Sequence, residues 1–364
     1  MSTLPDRIGA AARTSALVCA STLGACATIA TAPPLQFVDR SYIAPRTWTD
    51  STISYEAYVA PPIFLYDNQS KNFISLTETG GPAALWGFRM AVTPAFIIRQ
   101  LTDSSAAVRT PSFNPRVSVE AYHLAALHRS TPGGSPEFDW ERLDGFRFTL
   151  AHHSDGQAGC FLQGQTPSKP GSFEADDCTP PPNTGVLSTN RANGDFSTTY
   201  ASFLWHETLL KYAETNRTPL SVGFAAGYDW ELPKGSHVPG VLPDIEREFY
   251  GTWRKHVQTD LMAAPEWGCA KYGWTCWMRG RARATALYEW APTDLGPLAS
   301  RLEKPVPHFR SYFDFSYTLD VLHNTGLFMR RVDGQDYYNI GFVHRRQATL
   351  FGIVLDLGGY EIAK

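Results

Sequence analysis

Polar and apolar residues alternate along this chain with a period of two, in one stretch after another. The clearest run is FRSYFDFSYTLD, residues 309–320. Phe309, Ser311, Phe313, Phe315, Tyr317 and Leu319 share one face, almost wholly aromatic or aliphatic, and Arg310, Tyr312, Asp314, Ser316, Thr318 and Asp320 share the other. Successive side chains of a strand point to opposite faces, so this run predicts a β-strand with two unlike faces. RVSVEAYHLAA behaves the same way, with Val117, Val119 and Ala121 against Ser118, Glu120 and Tyr122. So does GFRFTLAHHSDGQ, residues 145–157, with Phe146, Phe148, Leu150, His152 and Ser154 against Arg147, Thr149, Ala151, His153 and Asp155. Further strands are expected near 221–231, 250–262, 281–290 and 323–332, and YYNIGFVHRR followed by QATLFGIVLDL reads as a terminal hairpin. Helical periodicity is scarce. The connections are polar and rich in Pro and Gly; the largest, about 158–190, holds Cys160, Cys178 and Pro180-Pro181-Pro182. There is no internal repeat, coiled coil or long charge run.

Two architectures produce such alternation. A soluble sandwich buries its apolar faces, whereas a transmembrane barrel turns them to lipid and keeps a polar lumen. The start of the chain favours the second. Arg7 and Arg13 precede the short small-residue apolar stretch ALVCASTLGACATIATA, and Ala30-Thr31-Ala32 resembles a cleavage site, which makes residues 1–32 an export signal. Leu23-Gly24-Ala25-Cys26 also resembles a lipoprotein box, which would instead lipidate Cys26. Aromatics are high at 13% and charged residues low at 18%, and strand runs of about ten residues suit a bilayer crossing. The expected fold is therefore all-β, a transmembrane antiparallel β-barrel over 61–364 with long extracellular loops. Residues 33–60 form an N-terminal arm or a first strand. The terminal GGYEIAK lacks the final aromatic of many outer-membrane barrels. No later segment has the apolar length of a membrane helix. A net charge of −3 offers no basic face for nucleic acid. The four cysteines beyond the signal fall into two close pairs that suggest disulfides Cys160–Cys178 and Cys269–Cys276, and neither pair has zinc-binding spacing.

The candidate chemistry lies in 145–157. Residues i and i+2 of a strand project to the same side about 6.5–7 Å apart, close enough for a histidine to act as base toward a serine hydroxyl. His152 and Ser154 meet this condition, and His153 points the other way. A solvated histidine near a strand end has the same local sequence, but the apolar phase of this pair is unusual, because polar groups facing hydrocarbon are costly unless used. His123 and His128 near a strand end read as solvated or satisfied histidines, and Trp267, Trp274 and Trp277 flank the second cysteine pair as loop or interface residues. No nucleophile elbow, phosphate-binding loop or dinucleotide fingerprint is present.

His152-His153-Ser154-Asp155-Gly156 resembles the H-x-S-N-G motif of the outer-membrane phospholipase A family, with Asp155 where the family commonly has Asn. VRTPSFNPRVSVE (108–120) resembles the family's strand ending in an aromatic-x-Pro, with Arg109, Phe113 and Pro115 in matching places. DFSTTYASF (195–203) resembles the strand after its active-site loop. The resemblance covers about residues 60–210 and implies a twelve-stranded barrel of the bacterial outer membrane. It implies a calcium-dependent phospholipase of type A1/A2 that hydrolyses acyl esters of membrane phospholipids as a homodimer. Ser154 would be the nucleophile and His152 the base. The family's orienting Asn aligns with Ser197, and Asn193, of the same strand parity, is the alternative. Calcium ligands would fall to Gln157, Asn193 and Ser104 or Ser105. A barrel of the same shape without enzymatic function, channel or structural, is the competing reading, and a soluble periplasmic β-protein a third.

Overall fold

A computed structural model describes residues 37, 39–47, 53–68, 84–101, 111–128, 139–155, 157, 159–167, 178–181, 183–190, 194–213, 217–233, 244–263, 280–322, 325–336, 342–355 and 360–361. The strands are β1 (Ser41–Thr47), β2 (Ile53–Val59), β3 (Ile63–Asp67), β4 (Ala84–Thr93), β5 (Phe96–Leu101), β6 (Ser112–Phe113), β7 (Arg116–His128), β8 (Asp139–Ser154), β9 (Ser197–Ala213) and β10 (Arg217–Glu231). Helix α1 (Asp244–Tyr250) follows. After it come β11 (Trp253–Ala263), β12 (Gly280–Trp290), a 3-10 turn at Pro297–Arg301, β13 (Phe309–Leu319), β14 (Thr325–Gln335), β15 (Arg345–Leu355) and β16 (Tyr360–Glu361). β1 pairs with β15, and β8 with β9, so the sheet closes on itself. The wall has twelve antiparallel staves, because β2 with β3, β4 with β5, and β6 with β7 are each one stave interrupted once. The interruptions fall at Pro61-Pro62, Pro94 and Pro115, where the missing N–H breaks the ladder. Two wall strands, β1 and β2, lie within 33–60.

The faces are those of a membrane barrel. On β13, Phe313 and Phe315 are each 45% exposed on the outside, while Asp314, Ser316 and Thr318 are buried inside. On β7, Val117 faces out and Glu120 in. A soluble sandwich would show the reverse. Inside, buried charges are paired: Glu120 with Arg89, Arg147 and His206, Asp260 with Arg283, and Asp314 with Arg330. The closed ladder satisfies the backbone within the sheet, the condition for crossing hydrocarbon. Among the described residues no helix is long and apolar enough to cross a membrane. The protein is a transmembrane antiparallel β-barrel.

The end of the barrel reached by the last residues of β8, β10 and β14 carries an apolar cap. Phe161, Leu162, Leu187, Phe196, Phe249 and Phe342 belong to one buried cluster, contributed by the loop after β8, by α1 and by the segment before β15. This corrects the expected terminal hairpin. Phe342 and Val343 are cap residues and not part of a strand, and the last hairpin of the wall is β14–β15. As adjacent residues they bury both side chains in the cap, which a strand with one lipid face would not allow, and the ladder resumes at Arg345. The disulfide Cys160–Cys178 lies within the cap-forming loop, and Cys269 and Cys276 lie outside the described residues.

Candidate active site

β8 carries Phe146, Phe148 and Leu150 on its outer face at 68%, 44% and 39% exposure, and His152 and Ser154 continue that face toward the capped end. At the other end of the same face lies Asp144, 3.4 Å from His123, whose ring packs 4.8 Å from Trp86. Asp144 and His152 are about 27 Å apart along the strand at ~3.4 Å per residue, which a tilt of ~40° reduces to about 20 Å of membrane depth. Between them the outer face is wholly apolar, so His152 and Ser154 stand at the edge of the hydrocarbon band, where lipid ester groups lie.

The proline interruptions lead directly to this pair. The three breaks are aligned across neighbouring staves, with Asn114 N–H donating to Ala95 O at 2.7 Å, and the line ends where the His152 backbone N–H donates to Pro115 O at 3.0 Å. Beyond the break, Phe113 pairs with Ser154 across the ladder and is 42% exposed, which gives the serine an aromatic neighbour on the lipid side.

The group on the His152 ring is Thr199. Its hydroxyl is 3.0 Å from Nδ1, and it is buried. With Nδ1 donating to Thr199, Nε2 is the basic nitrogen. Ser197, the expected partner, instead lies directly opposite Ser154. The reason is register: β8 and β9 pair so that His152 faces Thr199 and Ser154 faces Ser197, and an alignment by residue type could not fix that. Among the described residues no hydrogen bond joins His152 to Ser154. Asn193, Ser104, Ser105 and Gly156 lie outside the described residues. Gln157 is placed beside the pair, its N–H donating to Asp155 Oδ1 at 3.0 Å. The same oxygen accepts from Phe196 N–H at 3.2 Å, and Asp155 N–H donates to Phe196 O at 3.1 Å. Asp155 thereby ties the turn after the serine to the approach of β9. Burial pushes its carboxyl up to about 7, against the lowering by those N–H groups and helped by the nearby charge of Asp195. Burial pushes Asp195 up to about 6. In the sequence Asp155 stands out as the motif's departure from Asn and Asp195 only as the first residue of DFSTTYASF; nothing local shows that the two acids meet across the loop.

The described residues of the loop after β8 run into the cap. Asp195 N–H donates to Gly159 O at 2.7 Å and Asn190 N–H to Phe161 O at 2.8 Å, so its two arms run together and carry Phe161, Leu162 and Leu187 into the cap.

His153 behaves differently from its neighbour. It is buried on the lumen side, with Ser112 Oγ 2.7 Å from Nε2 and the Phe196 ring edge-on at 5.1 Å. Sequence reasoning excluded it from the outer pair but had no way to find Ser112.

Fold and site together define a β-barrel membrane protein that presents a histidine and a serine at the rim of its lipid-facing surface. No protein-family model matches the chain, and none of the curated proteins does. Among solved structures it is similar to outer membrane phospholipase A from Escherichia coli, with a TM-score of 0.41 and 10% sequence identity, over 91% of this chain and 96% of that one.

Proposed function

We propose that the protein is a phospholipase of the bacterial outer membrane that hydrolyses acyl esters of membrane phospholipids through Ser154 and His152. The observation that carries this reading is the position of the pair. A serine and a histidine share the outer face of one strand at the edge of an apolar band, and the imidazole is oriented by a buried hydroxyl from the next strand. A phospholipid in the surrounding bilayer brings its ester to that depth without leaving the membrane.

In this mechanism His152 Nε2 takes the proton of Ser154 as Oγ attacks the acyl carbonyl. Thr199 holds the ring and accepts from Nδ1–H as the imidazolium forms. The proton then passes to the leaving lysolipid oxygen. Water, activated by the same nitrogen, releases the fatty acid and restores the serine. Gln157 N–H is engaged by Asp155 Oδ1 and Asp155 N–H by Phe196 O, so the backbone donor proposed for the oxyanion is Gly156 N–H.

The proposed calcium set is Gln157, Asn193 and Ser105, with the last from a second copy in a homodimer. Two features support a hard cation here: Gln157 offers oxygen ligands, and the buried carboxyl of Asp155 feels the charge of the half-buried Asp195. Bound calcium would supply positive charge to the developing oxyanion.

The test is phospholipid hydrolysis by the refolded chain in detergent micelles, with calcium and with chelator, beside Ser154→Ala. Calcium-dependent release of fatty acid that disappears in the variant is the expected result. A folded barrel with the same background release as its Ser154→Ala variant would reject the reading and favour a barrel without enzymatic function.

A further inference from the structure

The described residues just before β1 leave the wall. β1 begins at Ser41, and beyond it β3 pairs on its outer edge with β16, at Ile63 and Phe64, so a C-terminal strand occupies the place a longer β1 would have taken. Phe37, Asp39 and Arg40 lie inside the barrel instead. Phe37 adopts a left-handed backbone at φ 56°, a conformation a bulky residue keeps only where its surroundings hold it. Its carbonyl accepts from Arg147 Nη1 at 2.8 Å, and its ring packs 5.7 Å from that of His206. Asp39 accepts from Arg116 Nη2 at 2.5 Å and Tyr58 OH at 2.6 Å. Arg40 reaches the other side of the barrel, where it donates to Ser316 and, at 3.5 Å, to Thr285, and lies 3.8 Å from Asp314. Three residues thus tie the β7–β9 wall to the β12–β13 wall across the lumen.

They also divide it. One cavity of about 70 Å3 reaches Phe64, Arg89 and Glu120, and another of about 250 Å3 reaches Ser112, Gln335 and Asp336 at the strand ends beneath the cap. Phe37, Asp39, Arg116 and Arg147 line both. The inner wall that Arg40 touches is a polar column of Ser221, Asp260, Arg283, Thr285, Ser316 and Thr318.

We propose that Phe37, Asp39 and Arg40 are a plug in a polar lumen, and that the barrel with this plug displaced conducts small ions. The activity is separate from lipid hydrolysis at the outer face. With the plug residue Asp39 set aside, the described residues lining the larger cavity hold six arginines and four carboxylates, so the opened path prefers anions.

The experiment is single-channel recording of the refolded full chain in planar phosphatidylcholine bilayers. Asp39→Arg sets two cations against each other at Arg116 and expels the segment, whereas Asp39→Arg with Arg116→Asp restores an ion pair of reversed order. The wild type is expected to stay near the bilayer baseline. Asp39→Arg is expected to carry at least about tenfold more current, anion-selective by reversal potential, and the double variant to return toward the wild type. Asp39→Arg that migrates as a folded barrel and stays silent overturns the proposal, as does a double variant that conducts like Asp39→Arg. If Asp39→Arg does not fold, Arg40→Ala, which severs only the far tie, replaces it under the same expectation of increased current, and its silence overturns the proposal equally.

Discussion

His152 and His153 are neighbours in the chain and belong to different environments. His152 faces outward at the hydrocarbon edge, with a serine two residues along and Thr199 on its ring. His153 faces inward, fully buried, hydrogen-bonded to Ser112 at 2.7 Å beneath an aromatic cap. Among the described residues only the inner pair shares a Ser–His hydrogen bond, yet the outer pair has the substrate side. The difference teaches that hydrogen-bond geometry alone does not nominate a lipid-hydrolysing dyad. What the strand's parity exposes to the bilayer matters first.

The comparison breaks most sharply at the serines. Ser154→Ala should lower phospholipid hydrolysis by roughly 10³-fold or more, while Ser112→Ala leaves it within about threefold of the wild type and costs about 1–2 kcal/mol in urea unfolding from micelles. Loss of hydrolysis on Ser112→Ala with Ser154→Ala active would exchange the roles of the two faces. The histidines should separate in the same sense. His152→Ala abolishes turnover with little change in unfolding midpoint, and His153→Ala destabilises by about 1–3 kcal/mol through the polar partner it leaves buried. Heat-modified electrophoretic migration beside the hydrolysis assay measures both.

On the outer face alone, Thr199→Val should reduce kcat by about 10–100-fold with KM little changed, because it removes the group that orients the ring. Ser197→Ala should cost less than about threefold. A larger loss at Ser197 than at Thr199 would mean that β9 shifts register when substrate binds. The smallest effect concerns the cap. Replacing Cys160 and Cys178 by Ser should lower thermal stability by an amount on the order of 2–3 kcal/mol through the opened loop and leave hydrolysis nearly unchanged, since Phe161, Leu162 and Leu187 of that loop are anchored in the cap.

Much of this was legible in local pattern. Alternation in FRSYFDFSYTLD named the residues of both faces of β13, and parity alone put His152 with Ser154 and set His153 apart. It could not say which face was inside, since a sandwich and a barrel share the pattern. Asp314 buried and Phe313 exposed answered that. Phe342 and Val343 misled because a short apolar stretch beside a strand suits a cap as well as a ladder. Thr199 was missed because cross-strand partners depend on register, and residue type favoured Ser197.

The sequence by itself determined the strands, their two unlike faces and the shared outward phase of His152 and Ser154, because alternation and i, i+2 geometry are properties of a few consecutive residues. Closure of β1 on β15, the register that brings Thr199 to His152, the Ser112–His153 contact and the turn of Phe37, Asp39 and Arg40 into the lumen were decided only by the tertiary structure. Each joins residues tens to hundreds of positions apart, and the free energy that selects them comes from burying and pairing groups that meet only once the barrel is closed.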